Sequence, residues 1–447
     1  MSTILISKKF SNLENKKIYI YTLGCKVNQY ESDAMTQELI SYGCASVPED
    51  EAADIYIINT CSVTNMADKK SRQMINRMRR KNPEAIIAAT GCYVQATGDE
   101  LVKNGTVDLI IGNNRKKDVA RILSEYIETH SVTDNYIDIN KDPDFENLSI
   151  TLPENHTRAY IKIQDGCNNF CSYCIIPYVR GRIRSKKFDD IINEAMTLAK
   201  NGVKELILTG INVSSYSDTS YEEEKKLEDI ISEINNIKGI ERIRMSSVEP
   251  RVITDKFLET VKNADKFCPH FHLSLQSACN NTLKAMNRKY TIEEYKLTCQ
   301  KLRETFDNPA ITTDIIVGFP GETDEDFEDT MNNLTELELY EIHTFKYSRR
   351  KGTVADKMKD QIDERVKNTR SDAVLELTAK QKKDFESKFI NKSQDVLIEE
   401  IVTIDGKKYY RGHTTRYVLV DIPLSSVLAE GDDENKYINE LISYTLT

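Results

Sequence analysis

Residues 164–182 read QDGCNNFCSYCIIPYVRGR. Within this run Cys167, Cys171 and Cys174 are spaced C-x₃-C-x₂-C, which puts three thiolates on one short loop. Three thiolates hold three corners of a cubic 4Fe–4S cluster and leave the fourth iron open to a small molecule. A four-cysteine cluster is coordinatively closed and usually only carries electrons. A structural zinc loop is one alternative, but zinc asks for four ligands and no His or fourth Cys lies near. Unrelated buried thiols are another. Tyr173, directly before the last cysteine, offers a ring that can stack on a purine.

Working outward, the loop follows AYIKIQDG, the first of six strand-like runs; the others are ELILTGIN, RIRMSSVEP, FHLSLQS, ITTDIIVGFP and EIHTFKYS. Helix-like runs such as DDIINEAMTLAKNG and TIEEYKLTCQKLRETF separate them. Six β/α repeats predict an open partial (β/α)6 barrel over residues 156–380, not a closed eight-stranded one. The cysteine loop then lies on the active face of the barrel. Asn212, Ser247, Glu249, Gln276 and Asp314 fall at later strand ends, as contacts for a cofactor or substrate or equally as caps and turns. In GFPGET the glycines and proline make a tight turn, with Glu322 and Thr323 placed to cap the next helix. This turn reads as scaffold.

Upstream, residues 16–130 alternate short apolar runs (KIYIYTLG, ADIYIINT, AIIAATG, VDLIIGN) with helix-like runs. That pattern predicts an α/β, doubly wound parallel sheet. Parallel crossovers bring all strand C-terminal ends to one edge, where ligands bind. Cys25, Cys61 and Cys92 each follow a different strand, so three thiols from distant positions converge on that edge. Such a set can hold a second 4Fe–4S cluster with an open iron. The alternative is three buried small apolar residues, a common role for free Cys. Cys44, after Gly43, follows no strand and reads as a core or surface thiol. Roles for Cys268, Cys279 and Cys299 stay open; Cys279 either faces the site or packs.

A polar linker, residues 131–155, separates the two segments. Residues 381–447 form the last one, where DVLIEEIV, KKYYRGHTT and RYVLVDIP predict a small β-barrel with turns such as DGK. Lys407, Lys408, Arg411, His413 and Arg416 alternate there with Tyr409, Tyr410 and Tyr417, a combination suited to phosphates and stacked bases. The chain of 447 residues carries a net charge of −10, so any nucleic-acid contact rests on local patches. Candidates are Lys69, Lys70 and Arg72 in KKSRQMINRMRRK, and Arg180 and Arg182 in VRGRIRSKK. A solvated helix face is the plainer meaning of such runs. No apolar run approaches bilayer length, and MSTILISKKFSNLENKK lacks the h-region of a secretory leader. The expectation is a cytoplasmic protein with no membrane contact, whose ten cysteines serve as metal or redox ligands before disulfides.

The spacing of Cys167, Cys171 and Cys174, with Tyr173 before the last, resembles the radical S-adenosylmethionine (SAM) enzymes. Two three-cysteine sets ahead of a basic β-segment resemble the methylthiotransferases within that superfamily, which replace a C–H bond by C–SCH₃. TLGCKVNQYESD, NTCSVT and TGCYVQ match the family's N-terminal motifs, and GCNNFCSYCIIPYVRG its radical SAM motif. SSVEP, HLSLQS, MNRKYT, TDIIVGFPGET and KYSRRKGT match further ones, and RGHTTRY looks like part of the RNA-gripping TRAM barrel. The resemblance covers nearly the whole chain.

It implies two 4Fe–4S clusters and SAM. Cys167, Cys171 and Cys174 would hold the cluster that cleaves SAM to a 5′-deoxyadenosyl radical, with Tyr173 and the strand-end polar residues beside the cofactor. Cys25, Cys61 and Cys92 would hold the one whose open iron carries the sulfur to be inserted, which a second SAM methylates. No catalytic side chain beyond the cluster ligands is expected. TLGCKVNQYES most resembles the bacterial branch acting at C2 of N6-threonylcarbamoyladenosine beside the tRNA anticodon. Sibling branches act on isopentenyladenosine in tRNA or on an aspartate of a ribosomal protein; a non-catalytic iron–sulfur carrier is the remote alternative. The implied partners are the tRNA anticodon arm and an electron donor such as flavodoxin or ferredoxin; a monomer is expected, and the sulfur source stays open. One departure from the family is Ala278 in QSAC, where Gly is usual. If that backbone needs a positive φ, Ala costs about 1 kcal/mol.

Overall fold

A computed structural model describes residues 8–98, 100–132, 135–136, 138–153 and 157–446. The expected linker-to-barrel boundary at 155/156 and residues 1–7 of the MSTILISKKFSNLENKK stretch lie outside them. The chain divides into two compact units: Met1–Ile150 with Lys162–Lys186 and Ser348–Asp356, and Thr151–Ile161 with Lys187–Tyr347 and Lys357–Thr447.

The first unit holds the expected parallel sheet, made of β1 (Lys17–Thr22), β2 (Ala45–Ser46), β3 (Ile55–Thr60), β4 (Ile86–Gly91) and β5 (Leu109–Ile111) in the order β2-β1-β3-β4-β5. Every residue of β3 is buried, because apolar layers cover both faces. Ile55, Ile57 and Ala88 pack on one side with Met35 and Leu39 of helix α1 (Lys26–Ser41) and with Ile122 and Leu123. Tyr56, Ile58, Ile87 and Ala89 pack on the other with Ile75 and Met78 of helix α2 (Asn65–Lys81). The Thr64 hydroxyl caps α2 by accepting the Ala67 N–H at 3.1 Å. Strand order reverses between β1 and β3, and in open α/β sheets the crevice at such a switch point is where ligands bind. The two-residue β2 was not foreseen.

Strand β6 (Arg158–Asp165) runs into the cysteine loop, and its last residues pair antiparallel with β7 (Arg184–Ser185), a second unforeseen strand. In the second unit, β8 (Glu205–Gly210) pairs parallel with β9 (Arg242–Met245). Strands β10 (His270–His272), β11 (Ala310–Val317) and β12 (Glu341–Lys346) form a parallel group, joined to β9 through the bridges Ile243↔Phe267 and Val248↔Leu273. With β6 these are the six strands expected from the sequence. Thr323 caps Asp324–Leu337 as expected, exchanging bonds with Asp326. Glu322 instead turns inward, accepting the Gly318 N–H and pairing with Arg370, each at 2.6 Å.

The C-terminal segment is a half-barrel of antiparallel strands β13 (Ser393–Ile404), β14 (Lys407–Thr414), β15 (Leu419–Pro423) and β16 (Leu441–Thr445), in the order β15-β14-β13-β16. Asp405 and Gly406, both at positive φ, make the tight turn between β13 and β14. A charged junction fixes the half-barrel to the strands of the same unit. Arg244 gives Nε to buried Glu205 at 2.9 Å and its Nη atoms to the carbonyls of Thr415 and Thr414 at 2.9 and 2.7 Å. Tyr417 stacks between His270 and His413, with ring centroids at 5.1 and 4.3 Å, and Arg158 donates to its hydroxyl at 2.9 Å.

Candidate functional site

Three cysteines lie at the C-terminal ends of three neighbouring strands. Cys25 follows β1 and takes the extended N-cap position of α1; Cys61 directly follows β3; Cys92 directly follows β4 and opens a short helix, Cys92–Thr97. Gly24 (φ +103) and Gly91 (φ +95) turn the chain immediately before Cys25 and Cys92. A β-carbon on Gly24 would lie 2.8 Å from Cys61 Sγ, and one on Gly91 would strike the Thr60 carbonyl, so both glycines are required for the close approach. Cys25 is open to solvent, whereas Cys61 and Cys92 are buried. Burial pushes the Cys61 thiol up to about 12, with Cys92 and Cys25 close enough to raise it further. Thiols in such surroundings ionise when a cation joins them.

The donor set fits a multi-iron cluster. It offers sulfur alone, and among the described residues no group of three His, Cys, Asp or Glu gathers around a single metal ion. A cluster instead takes one thiolate per iron. Asn59 Oδ1 and Thr90 Oγ1, at the same strand ends, are buried without a hydrogen-bond partner.

The second set sits on the loop after β6. Gly166 (φ +71) turns the chain before Cys167, where a β-carbon would strike the Arg182 carbonyl. The Cys167 N–H donates to the Gly181 carbonyl at 3.1 Å and the Cys174 N–H to that of Cys171 at 2.9 Å. The Asn169 N–H donates to Cys167 Sγ at 3.5 Å. Cys167 and Cys174 are partly exposed and Cys171 is buried, and Tyr173 is partly exposed beside them. The segment Ser348–Asp356 bonds to residues beside both cysteine sets. Arg350 donates to Ser62 Oγ at 2.6 Å and pairs with Asp68 at 2.8 Å, while the Ala355 N–H donates to the Ser172 carbonyl at 2.8 Å. Sequence reasoning did not single out Arg350, although it lies in KYSRRKGT.

Arg180 requires a correction. It was expected on an RNA-facing surface, but its side chain is fully buried, with Nη1 at 2.5 Å from Glu31 Oε1 and Nε donating to Cys92 Sγ at 3.4 Å. A guanidinium so engaged has no donor left for a phosphate. Glu31 also pairs with buried Lys116 and Lys162.

In the second unit, Asn212 is buried, Ser247 is exposed, and Glu249, Gln276 and Asp314 are partly exposed near strand ends. Glu249 lies 3.5 Å from Arg288, which donates to the Tyr290 hydroxyl at 3.0 Å; Asp314 lies 3.3 Å from His272. His272 stacks on His343 at 5.6 Å. Arg288, Tyr290, His272 and His343 escaped the sequence reading, although MNRKYT had been noted. The positive φ feared at Ala278 falls on Gln276 (φ +76), so Ala278 carries no such penalty.

The basic candidates separate by exposure. Lys69, Lys70, Arg72, Arg182, Lys407 and Lys408 are exposed, with Arg182 lying over the Phe170 ring and Lys408 paired to Glu434. Arg411 is held bidentately by Asp421 at 2.8 and 2.9 Å. His413 and Arg416 correct the expectation of a free basic groove. His413 meets Glu399 at 2.6 Å in the junction, and Arg416 donates to the carbonyls of Asn308 and Asp307 at 2.8 and 2.7 Å.

Comparison with known proteins matches this geometry. Residues 161–334 fit the Radical SAM superfamily and residues 17–112 fit an uncharacterized protein family, UPF0004. The first span holds Cys167, Cys171 and Cys174, and the second holds Cys25, Cys61 and Cys92. The chain is 38% identical over 405 residues to the threonylcarbamoyladenosine tRNA methylthiotransferase MtaB of Bacillus subtilis (strain 168), covering 90% of this chain and 89% of that protein. The chain belongs to the radical SAM methylthiotransferase family. Within the family it is also 38% identical to the MtaB of Aquifex aeolicus (strain VF5), covering 86% of this chain and 93% of that protein. To the tRNA-2-methylthio-N(6)-dimethylallyladenosine synthase of Alkaliphilus oremlandii (strain OhILAs) it is 38% identical, covering 93% and 88%. In fold, this methylthiotransferase resembles the radical SAM methyltransferase TsrM of Kitasatospora setae, with a TM-score of 0.54 and 13% identity over 74% of this chain and 73% of that one.

Proposed function

We propose that this protein methylthiolates C2 of N6-threonylcarbamoyladenosine beside the anticodon of tRNA. The observation that carries the reading is the set of three cysteines at adjacent strand ends, in a chain that also bears the C-x₃-C-x₂-C loop. The choice of nucleoside is supported by the two MtaB relatives and by the run TLGCKVNQYESD. When bound, the two clusters and SAM supply the 5′-deoxyadenosyl radical, the sulfur and its methyl group.

The chain's own residues hold and orient. Cys167, Cys171 and Cys174 are ligands of one cluster, and Cys25, Cys61 and Cys92 of the other. Tyr173, Asn212, Ser247, Glu249, Gln276 and Asp314 are candidates for SAM contact, to which Arg288 and His272 are added by their pairing with Glu249 and Asp314. Residues 16–130 carry the second cluster, 156–380 the radical chemistry and 381–447 part of the RNA grip. Lys69, Lys70, Arg72, Arg182, Lys407, Lys408 and Arg411 are the proposed contacts of the anticodon arm, whose loop bases are single-stranded and can be splayed out. A flavodoxin- or ferredoxin-like electron donor, a monomeric state and a cytoplasmic location complete the proposal. Among the described residues no helix is long and apolar enough to cross a membrane.

A second reading has its own support. Six relatives, at 35–38% identity, are named dimethylallyladenosine synthases. The deciding experiment gives anaerobically reconstituted protein dithionite, SAM and tRNA bearing either nucleoside, then reads the RNA digest by mass spectrometry. Methylthio product only on threonylcarbamoyladenosine is expected. Product only on the isopentenyl nucleoside transfers the protein to the second reading. Steady 5′-deoxyadenosine with no modified nucleoside rejects both and points to a ribosomal-protein aspartate.

A further inference from the structure

Arg180 directly precedes Gly181, whose carbonyl closes the cysteine loop, and its side chain is anchored beside the other cysteine set. Its Nη2 donates to Asn28 Oδ1 at 2.5 Å, its Nη1 pairs with Glu31, and its Nε donates to Cys92 Sγ at 3.4 Å. Behind it lies a dry cluster of charge. Lys162 pairs with Glu31 at 2.7 Å and with Asp165 at 2.6 Å, Lys116 pairs with Glu31, and Arg184 lies 3.8 Å from Asp165. Four cations (Lys116, Lys162, Arg180, Arg184) thus share two carboxylates (Glu31, Asp165), a local excess of positive charge that a third buried carboxyl beside Lys116 and Lys162, Glu146, offsets only in part because burial raises it. The four cations and the two carboxylates they share are at most 5% exposed. Burying unbalanced cations is costly. Arg180 aims its remaining donor at the cysteine set, where thiolates bound to iron place the missing negative charge.

We propose that Arg180 is a positioning residue that fixes Cys92 and, with the buried cations behind it, raises the reduction potential of the cluster held by Cys25, Cys61 and Cys92. The inference rests on the reading of these three cysteines as cluster ligands. A one-electron reduction adds a negative charge to the cluster, so a nearby cation and an N–H donor to a ligating sulfur stabilise the reduced form. The electron comes from the dithionite of the test. The same guanidinium also ties the loop of Cys167 to Cys92, since Cys167 N–H bonds to the carbonyl of Gly181, the next residue.

The test uses the full chain carrying Cys167→Ala, Cys171→Ala and Cys174→Ala, so that only the strand-end cluster is loaded. Iron per chain and the midpoint from a redox titration followed by electron paramagnetic resonance are read together, without RNA. Arg180→Gln is expected to lower the reduced-to-oxidised ratio at fixed potential about tenfold, a shift of about 59 mV to more negative values for one electron. Arg180→Lys keeps the charge and should recover part of the shift. Glu31→Gln keeps every cation and removes a negative charge, so it should shift the midpoint the other way. That opposite sign keeps the test decisive where Arg180→Gln fails to load iron. An unchanged midpoint in iron-loaded Arg180→Gln, or a Glu31→Gln shift that is absent or negative, overturns the inference alone. Failure of the parent triple variant to bind iron overturns the reading of Cys25, Cys61 and Cys92 as well.

Discussion

The two cysteine sets occupy the same unit but are built in opposite ways. The loop set comes from eight consecutive residues, 167–174, and its geometry is written in short-range bonds such as Cys174 N–H to Cys171 O. The strand-end set comes from positions 25, 61 and 92 and exists only once β1, β3 and β4 have paired in order. Its geometry is a property of the sheet, held by register, by glycines that admit a neighbouring backbone, and by Arg180 and Arg350. A local site tolerates distortion elsewhere; a site assembled from distant strands inherits every error in the core beneath it.

The sharpest way to break this comparison is to remove ligands. Replacing Cys167, Cys171 and Cys174 with Ala should abolish SAM cleavage, read as loss of 5′-deoxyadenosine. Replacing Cys25, Cys61 and Cys92 should leave SAM cleavage and remove methylthio-nucleoside entirely. A second triple variant that still makes product would refute the sulfur role of the strand-end set. Next come the glycines. Gly91→Ala forces a β-carbon into the Thr60 backbone at φ +95, at a cost of about 2–4 kcal/mol, and should empty the strand-end set while the loop set keeps its iron. Gly166→Ala should do the reverse. Equal iron loss from both sets in both variants would show that the two sites are not independent.

Arg350→Ala should act more mildly. It removes the bonds to Ser62 and Asp68, at about 2 kcal/mol, but leaves the backbone bond from Ala355 to Ser172. Chelator should then strip the strand-end set faster than the loop set. The smallest expected effect is a pH dependence of the apo protein. Burial pushes Glu146 up to about 7. The folded state therefore holds a proton that the unfolded chain releases near its ordinary value. The contribution is fully present below about pH 4.5 and is lost as pH rises through about 7. Urea midpoints at pH 5.5 and 7.5 should differ in that direction, and Glu146→Gln should narrow the difference.

The same contrast explains what the sequence disclosed. The apolar runs named all six barrel strands, and four of the five in the first sheet, because buried parallel strands are continuous and short. The two-residue β2 and β7 leave no run to see, and β16 alternates exposed with half-buried residues at the edge of the half-barrel. The cysteine positions were legible from their places after strands. The charges beneath them were not, because Arg180 sits in a basic run that reads as surface and its partner Glu31 is 149 positions away. One signal was available: Glu31 lies on the Val27–Tyr30–Ala34–Met35 stripe that buries α1. In the C-terminal segment, basic and aromatic residues suggested one groove, but several of them hold the half-barrel to its neighbours.

That last arrangement has a mechanical consequence. Tyr417, clasped by two histidines and approached by the guanidiniums of Arg158 and Arg244, makes the half-barrel a fixed jaw and not a bead on a string. An RNA gripped by β14, as proposed, would thereby be held at a set offset from the strands of the same unit, and its length would be gauged against them.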